Sequence, residues 1–292
     1  MHQDGTKEPK GTLYVVATPI GNMRDITLRA LDVLGRVEVI AAEDTRNTSH
    51  LLSHHGIRTK LLAVHEHNER EAAAKLIDLL ESGKSVAMVS DAGTPAVSDP
   101  GALVVGMVRE AGLKVEPIPG ANAAICAISA AGLAAPHFLF FGFLPHKGTA
   151  RRKELEALKG LPYTLVFYEA PHRILDCVQD LQQVLGGGRN ITFARELTKL
   201  FETIYACPLG EALDWLNADP NRLRGEFVLL VEGAPAEPVA DQAVEARRLL
   251  TTLLAELPLK QAVKLVVKIS GGKKNEIYAL ALEIKQGNEN AP

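Results

Sequence analysis

Short, almost continuously apolar runs, each followed by a segment of helical period, constrain the fold of this 292-residue chain more than any other feature. A strand that is apolar along both faces has to be covered on both. In globular proteins that covering comes from helices packed against a parallel sheet. Residues 12–17, 37–42, 61–64, 85–89 and 115–118 are such runs. Helices are expected between them. One begins near Asp25, where Leu28, Leu31 and Leu34 recur at helical spacing before Gly35, another covers 69–81 before Gly83, and a third, rich in small residues, covers 122–131. Asp99 followed by Pro100 predicts an N-cap and first helical residue, with the helix running to Ala111 and stopping at Gly112. Strand and helix in alternation give a mostly parallel sheet with helices on both faces.

The second half changes character. Strands are expected over 138–143, 163–168, 190–194, 203–206 and 227–231, and helices over 152–158, 174–185 and 209–216. The link between Arg195 and Thr203 is too short for a crossover helix, so at least one strand pair is antiparallel and the second sheet is mixed. Residues 233–239, with two prolines, read as a linker, and two or three short helices follow. Lys260, Lys264 and Lys268 at i, i+4, i+8 make one face of the 259–270 segment basic. The expected organisation is α/β throughout. A short disordered lead (1–10) with no signal-peptide core precedes an N-terminal α/β domain (11–120). A C-terminal α/β domain (121–233) and a helical extension (234–292) follow.

Charge and cysteine usage narrow the function classes. A formal net charge of -3 argues against a uniformly basic nucleic-acid binder and leaves local basic patches as the route to RNA. Cys126, Cys177 and Cys207 stand far apart, which excludes a CxxC zinc motif and a disulfide framework and fits the cytoplasm. No apolar run is long enough for a membrane span. His65 and His67 flank Glu66 with no third ligand marked, so no metal site is expected.

Ligands of open parallel sheets bind beyond the carboxyl ends of the strands. Four such ends carry small, turn-forming or acidic residues: Thr18-Pro19-Ile20-Gly21-Asn22, Glu43-Asp44-Thr45-Arg46, Ser90 to Pro95 with Ser98 to Gly101, and Pro119-Gly120-Ala121-Asn122. A dinucleotide fingerprint needs three spaced glycines after the first strand, and only Gly21 is present. Gly272-Lys273-Lys274 lacks the upstream glycine and the hydroxyl residue of a P-loop, and Gly186 to Gly188 follows a helix. A phosphate-free ligand fits better. S-adenosylmethionine (AdoMet) needs an apolar slot for adenine, polar groups for ribose, a helix start for its carboxylate and acceptors near its sulfonium. The loops 90–95 and 121–123 can supply these, although such loops also suit other small ligands.

These four blocks, followed by Phe167-Tyr168-Glu169-Ala170-Pro171-His172-Arg173, Arg195-Glu196-Leu197-Thr198-Lys199 and Gly225-Glu226-Phe227, occur in one order between Gly11 and Glu232. Together they closely resemble the small-subunit ribosomal RNA methyltransferases of the tetrapyrrole-methylase-like superfamily, class III AdoMet methyltransferases. The tail resembles the helix-turn-helix-like extension of that family. The resemblance implies two α/β domains of tetrapyrrole-methylase type with AdoMet between them, and a homodimer. It also implies 2′-O-methylation of a decoding-region cytidine of 16S rRNA (family position cytidine 1402), with the assembled small ribosomal subunit as partner and neither DNA nor membrane involved. The glycine-rich first loop of tetrapyrrole methylases proper is replaced here by Thr18 to Asn22, which favours RNA over a porphyrin. A tetrapyrrole C-methyltransferase and a non-catalytic ribosome assembly factor are the alternatives.

Roles follow from that reading. Pro19, Ser90, Asp91, Ala92, Gly93, Thr94, Pro95, Gly120, Ala121, Asn122 and Tyr168 are expected to face the cofactor, or else to form tight turns and, for Tyr168, to pack. Asp99 is assigned to the helix cap. Arg46, Arg173 and Lys199 are expected either at RNA phosphate or ribose, or in ion pairs with Glu43, Glu169 and Glu196. Arg151 and Arg152, with Lys153, form a basic cluster at a helix start, where they oppose the helix dipole, and are assigned to ribosomal phosphate or to a flexible lid. Glu169, Glu196, Lys199 and Asp91 are all open as the group that takes the hydroxyl proton.

Overall fold

A computed structural model describes residues 10–65, 67–133, 137–235 and 239–289, which divide into two compact units at Ala234/Pro235. The first unit holds two five-stranded sheets.

The first sheet is wholly parallel. Strands β1 (Thr12–Val16), β2 (Val39–Ala42), β3 (Lys60–Ala63), β4 (Val86–Val89) and β5 (Lys114–Ile118) lie in the order β3-β2-β4-β1-β5. Helices α1 (Leu28–Arg36), α2 (Thr45–His54), α3 (Glu69–Glu81) and α4 (Ala102–Glu110) make the crossovers. Crossovers toward β3 place α1 and α2 over Val16, Ile40, Ala42 and Val89. Crossovers the other way place α3 and α4 over Leu13, Ala41, Val86 and Met88. A fixed crossover hand requires this division. The inner strands β2 and β4 therefore bury both faces, as their composition demands, while the edge strands β3 and β5 stay partly exposed.

Two elements differ from expectation. Helix α2 was not anticipated from its polar sequence, in which only Thr48, Leu51 and Leu52 are buried; Asp44 caps it, accepting from the Arg46 N–H at 2.8 Å. Asp99 does not cap α4. Gly101 does, at φ 123°, and the Glu69 carboxylate receives its N–H. The cap moves because Ala96 (φ 64°) and Ser98 (φ 63°) turn left-handed, so the chain enters the helix later than the Asp-Pro pair suggests.

The second sheet is mixed, in the order β6-β7-β10-β8-β9: β6 (Phe138–Phe143), β7 (Thr164–Glu169), β8 (Asn190–Arg195), β9 (Thr203–Pro208) and β10 (Phe227–Val231). Only β6–β7 is parallel. The strands sort their faces with period two. Leu165, Phe167, Ile191, Phe193, Leu229 and Val231 pack under α6 (Gly148–Leu158), α7 (Ile174–Leu185) and α8 (Leu209–Asn217). Val166, Ala194, Val228 and Leu230 face the other way, toward α5 (Ala123–Ala130) and Ile20 from the first sheet's β1 loop. That second cluster joins the two sheets. A bulge between Phe140 and Gly142 brings β6 against the 96–98 loop. Gly142 sits at φ 81°, and a Cβ there would lie 2.6 Å from Ser98 Oγ, so both backbone angle and space require glycine.

The second unit is three helices, α9 (Val239–Leu254), α10 (Leu259–Ser270) and α11 (Lys274–Glu289). They close on Ala246, Leu250, Val263, Val266, Ile277, Ala281 and Ile284. Gly271, left-handed at φ 66°, ends α10, and Lys260, Lys264 and Lys268 are all exposed on it.

Candidate functional site

Strands β1 and β4 are neighbours whose connections leave in opposite directions, so a crevice opens between their carboxyl ends. Thr18 and Gly93 staple it: Thr18 N donates to Gly93 O at 2.8 Å, and Gly93 N returns a bond to Thr18 O at 3.1 Å. The buried Thr18 hydroxyl donates to Ser90 O at 3.2 Å. Thr94 Oγ1 donates to Ala121 O at 3.1 Å, which ties the loop after β4 to the loop after β5.

The second sheet closes this edge into two adjoining cavities. The larger, about 360 Å³, lies between Ala92, Gly93, Thr94, Val97, Ser98 and Asp99 on one side and Phe143, Tyr168, Ala194, Leu197, Phe227 and Val228 on the other. Its wall is largely apolar. Tyr168 meets Phe140 and Phe143 edge to face, at 5.0 and 5.6 Å between ring centroids, and its hydroxyl accepts from Ala124 N–H at 3.2 Å. Burial raises its pKa. At the start of α5, the Asn122 side chain accepts from Ile125 N–H at 3.1 Å. Ala123, whose N–H is used by neither contact, lines the cavity.

Asp99 is the electrostatic singularity of the larger cavity. Burial raises its pKa first and the Glu43 charge second, and Asp91 adds to them. The hydrogen bond with Ser90 opposes the rise, and the carboxyl comes to rest at about 6. A half-buried acid held there by burial and, second, by like charge favours a cationic neighbour.

The smaller cavity, about 330 Å³, is lined about equally by polar and apolar groups. Thr18, Pro19, Gly21, Asn47, His50, Ser90, Asp91 and Lys199 line it. Asp91 faces away from the larger cavity. Its carboxylate accepts from Asp44 N–H and from Asn47 Nδ2, both at 3.0 Å. Lys199 Nζ lies between Glu196 Oε1 at 2.8 Å and Glu226 Oε2 at 2.9 Å. Burial pulls the ammonium down, but the hydrogen bonds to the two carboxylates outweigh it, and the pKa is raised. For Glu196, burial works upward and is overcome by Lys199 and the Glu226 N–H, so its carboxyl is lowered. Glu196 (φ 52°) and Thr198 (φ 65°) hold the intervening turn in a left-handed path.

The residues expected at the cofactor thus separate. Ala92, Gly93, Thr94, Asn122 and Tyr168 line the larger cavity; Pro19, Ser90 and Asp91 line the smaller, with Ala92 on both. Pro95, Gly120 and Ala121 line neither and serve the frame. Gly120 lets the loop pass Ala17, whose Cβ would lie 2.9 Å from an added methyl.

Among the expected proton acceptors, Glu169 borders the larger cavity with its carboxylate turned inward. Its side chain is fully buried, accepts from Ala170 N–H at 2.8 Å, and lies 3.1 Å from Arg173 Nε. Arg173 is tied in turn to Leu144 O at 2.6 Å, so this pair anchors the turn after β7. Arg151 corrects the reading of the basic cluster. It is sealed inside, 2.7 Å from Asp180, with Arg152 on the other carboxylate oxygen at 2.7 Å. The cluster latches α6 to α7, and the Arg151 head offers nothing to an RNA phosphate. Arg46 stays exposed at the rim, paired with Asp44, whose carboxyl this hydrogen bond holds at about 2. Among the described residues no group of three metal-ligating side chains occurs.

Two residues that line these cavities escaped sequence reasoning. Asp99 was hidden by its helix-cap signature. Glu226 stood inside the Gly225-Glu226-Phe227 block, but its partners Glu196 and Lys199 lie about 30 residues away and meet it only through the β8–β10 register.

Comparison with known proteins matches residues 12–213 to the family described as Tetrapyrrole (Corrin/Porphyrin) Methylases, and residues 240–285 to the RsmI C-terminal HTH domain. The chain is 52% identical to Ribosomal RNA small subunit methyltransferase I of Escherichia coli O157:H7, over 94% of this chain and 96% of that protein. It is 51% identical to the protein of the same name from Pseudomonas aeruginosa, over 95% and 98%. Among solved structures it is similar to cobalt precorrin-4 methyltransferase CbiF (TM-score 0.57, 17% identity, 76% of this chain and 94% of that one). It is also similar to Thermus thermophilus uroporphyrin-III C-methyltransferase complexed with S-adenosyl homocysteine (TM-score 0.55, 17% identity, 76% and 97%). At that identity the structures speak for the fold.

Proposed function

This chain belongs to the ribosomal RNA small subunit methyltransferase I family within the tetrapyrrole (corrin/porphyrin) methylases, and from that membership we propose that it uses AdoMet to methylate a ribose 2′-hydroxyl of small-subunit ribosomal RNA. The proposed target is a decoding-region cytidine, family position cytidine 1402, within the assembled subunit. The chain acts as a cytoplasmic homodimer in this reading.

The observation that carries the cofactor assignment is Asp99, an acid raised to about 6 inside a mostly apolar cavity. Glu43 and Asp91 repel its negative charge. A sulfonium or ammonium relieves that repulsion, whereas a pyrophosphate would add to it. The remaining lining fits the same molecule. Phe143, Tyr168 and Leu197 offer an apolar slot, and the α5 start at Asn122 and Ala123 offers polar backbone to a carboxylate. AdoMet supplies an activated methyl group. The chain's own residues align donor and acceptor, keep water from the apolar slot, and dispose of one proton.

The test is to incubate the protein with methyl-labelled AdoMet and either small ribosomal subunits or uroporphyrinogen. Label should enter RNA as a ribose-methylated cytidine found by nuclease digestion and mass mapping. Label in the porphyrin alone would refute the RNA assignment, and a calorimetric titration without AdoMet binding would refute both enzymatic readings. Light scattering during size-exclusion chromatography tests the homodimer.

A further inference from the structure

The two cavities share a single stretch of wall, made by Ile20, Ala92 and Glu226. If the larger cavity holds the methyl donor, the acceptor oxygen has to reach the methyl carbon across that wall. We infer that the smaller cavity receives the target ribose, that Glu226 takes the proton of its 2′-hydroxyl, and that Lys199 holds the attacking oxygen, an inference that rests on the methyltransferase reading above.

Of the three shared residues only Glu226 can carry a proton. The other carboxylates nearby are committed elsewhere. Glu169, the last residue of β7, borders only the larger cavity, and its fully buried carboxylate faces Arg173. Both Asp91 oxygens accept from the start of α2, one from the Asp44 N–H and one from Asn47 Nδ2. Glu196 Oε1 already receives Lys199 Nζ and, at 3.0 Å, the Glu226 N–H, and its pKa is lowered, which makes it a weaker acceptor. Asp99 lines only the larger cavity. The Glu226 side chain, by contrast, is 77% exposed and meets Lys199 through one oxygen, Oε2.

Lys199 is placed by packing as well as by charge. Its stem runs along the loop after β1, where a Cβ on Gly21 would come within 2.6 Å of Lys199 Cγ. Pinned between two carboxylates, the ammonium keeps its protons, so it donates to an oxygen and does not accept from one. In the transfer, the 2′-oxygen forms its bond to the methyl carbon as the carbon–sulfur bond breaks. The sulfur keeps that electron pair and becomes a neutral thioether. The hydroxyl proton passes to the Glu226 carboxylate, which later releases it to water. Lys199 steadies the charge that develops on the oxygen.

The experiment compares wild type, Glu226→Gln and Lys199→Met as full-length proteins acting on small ribosomal subunits at saturating AdoMet. Glu226→Gln should lower kcat about 10²-fold and abolish the acid limb of its pH profile, with AdoMet Kd and the KM for subunits within a few-fold of wild type. Lys199→Met should lower kcat by about tenfold or more but keep the acid limb, and Lys199→Arg should recover part of the loss. An acid limb that persists in Glu226→Gln, whatever its kcat, overturns the inference, as does loss of AdoMet binding in that variant. A wild-type protein that labels no RNA would instead bring down the broader reading.

Discussion

Asp99 and Glu196 are carboxylates of the same unit, in adjoining regions, and their environments drive them in opposite directions. Around Asp99 the walls are apolar and the neighbouring charges are negative, so the acid is raised to about 6. Around Glu196 a lysine and a backbone N–H converge on the carboxylate, so it is lowered although burial acts against this. The difference teaches what each region lacks. The larger cavity has negative charge without a partner and is completed by a cation from outside. The smaller already holds a cation of its own, Lys199 between Glu196 and Glu226, and is completed by a polar, uncharged group such as a ribose hydroxyl.

Replacing Asp99 by Asn gives the largest expected effect on that contrast. AdoMet Kd at pH 7.5 should rise roughly 10- to 100-fold, from the loss of a charged contact, while Glu196→Gln should leave it unchanged. Calorimetry separates the two, and equal effects would erase the distinction between the regions. The pH response follows from the sign of the Asp99 shift. A cationic ligand prefers the ionised acid, so affinity should be flat well above pH 6 and fall up to about tenfold per unit below it. The Asn variant should lose that fall. Without ligand the sign reverses. A raised folded pKa means a stability contribution that is present below the unfolded pKa near 3.8 and lost as pH rises through about 6. Asp99→Asn should therefore melt higher than wild type above pH 6, measured by thermal unfolding of the apo protein.

In the smaller region, Gly225→Ala is expected to cost more than about 1 kcal/mol in denaturant unfolding. Gly225 sits at φ 87°, and its added methyl would run into the Glu196 side chain, so the lysine cluster is disturbed and the larger cavity is spared. The smallest effect is expected from Tyr168→Phe. It strands the Ala124 N–H and should weaken AdoMet binding by about 1 kcal/mol, or about fivefold, with the aromatic wall intact.

The frame was legible in the sequence because its signals are local. Strands buried on both faces, the Ile174–Leu185 helix and Gly112, left-handed at φ 67° where the chain leaves α4, need only composition and spacing to be recognised. What was illegible depends on contacts between distant residues. Arg151 and Arg152 looked like a surface patch until Asp180, on the next helix, was brought beneath them. Helix α2 was hidden because it buries little, so its apolar periodicity is faint. Within the candidate site, the loops could be named but not sorted. Pro19, Asp91 and Ala92 are near neighbours in sequence blocks of one kind, yet the first two line one chamber and the third lines both.

The staple between Thr18 and Gly93 has a consequence for how far this scaffold can be redirected. Nucleotide enzymes with the same strand-edge opening use unspent amides there to grip diphosphates. Here two of those N–H groups, of Thr18 and Gly93, are spent on each other's carbonyl oxygens. Adding glycines to the first loop would therefore not convert the crevice into a dinucleotide seat, because the lock joining the loops would have to be undone first, and with it the floor on which both chambers stand.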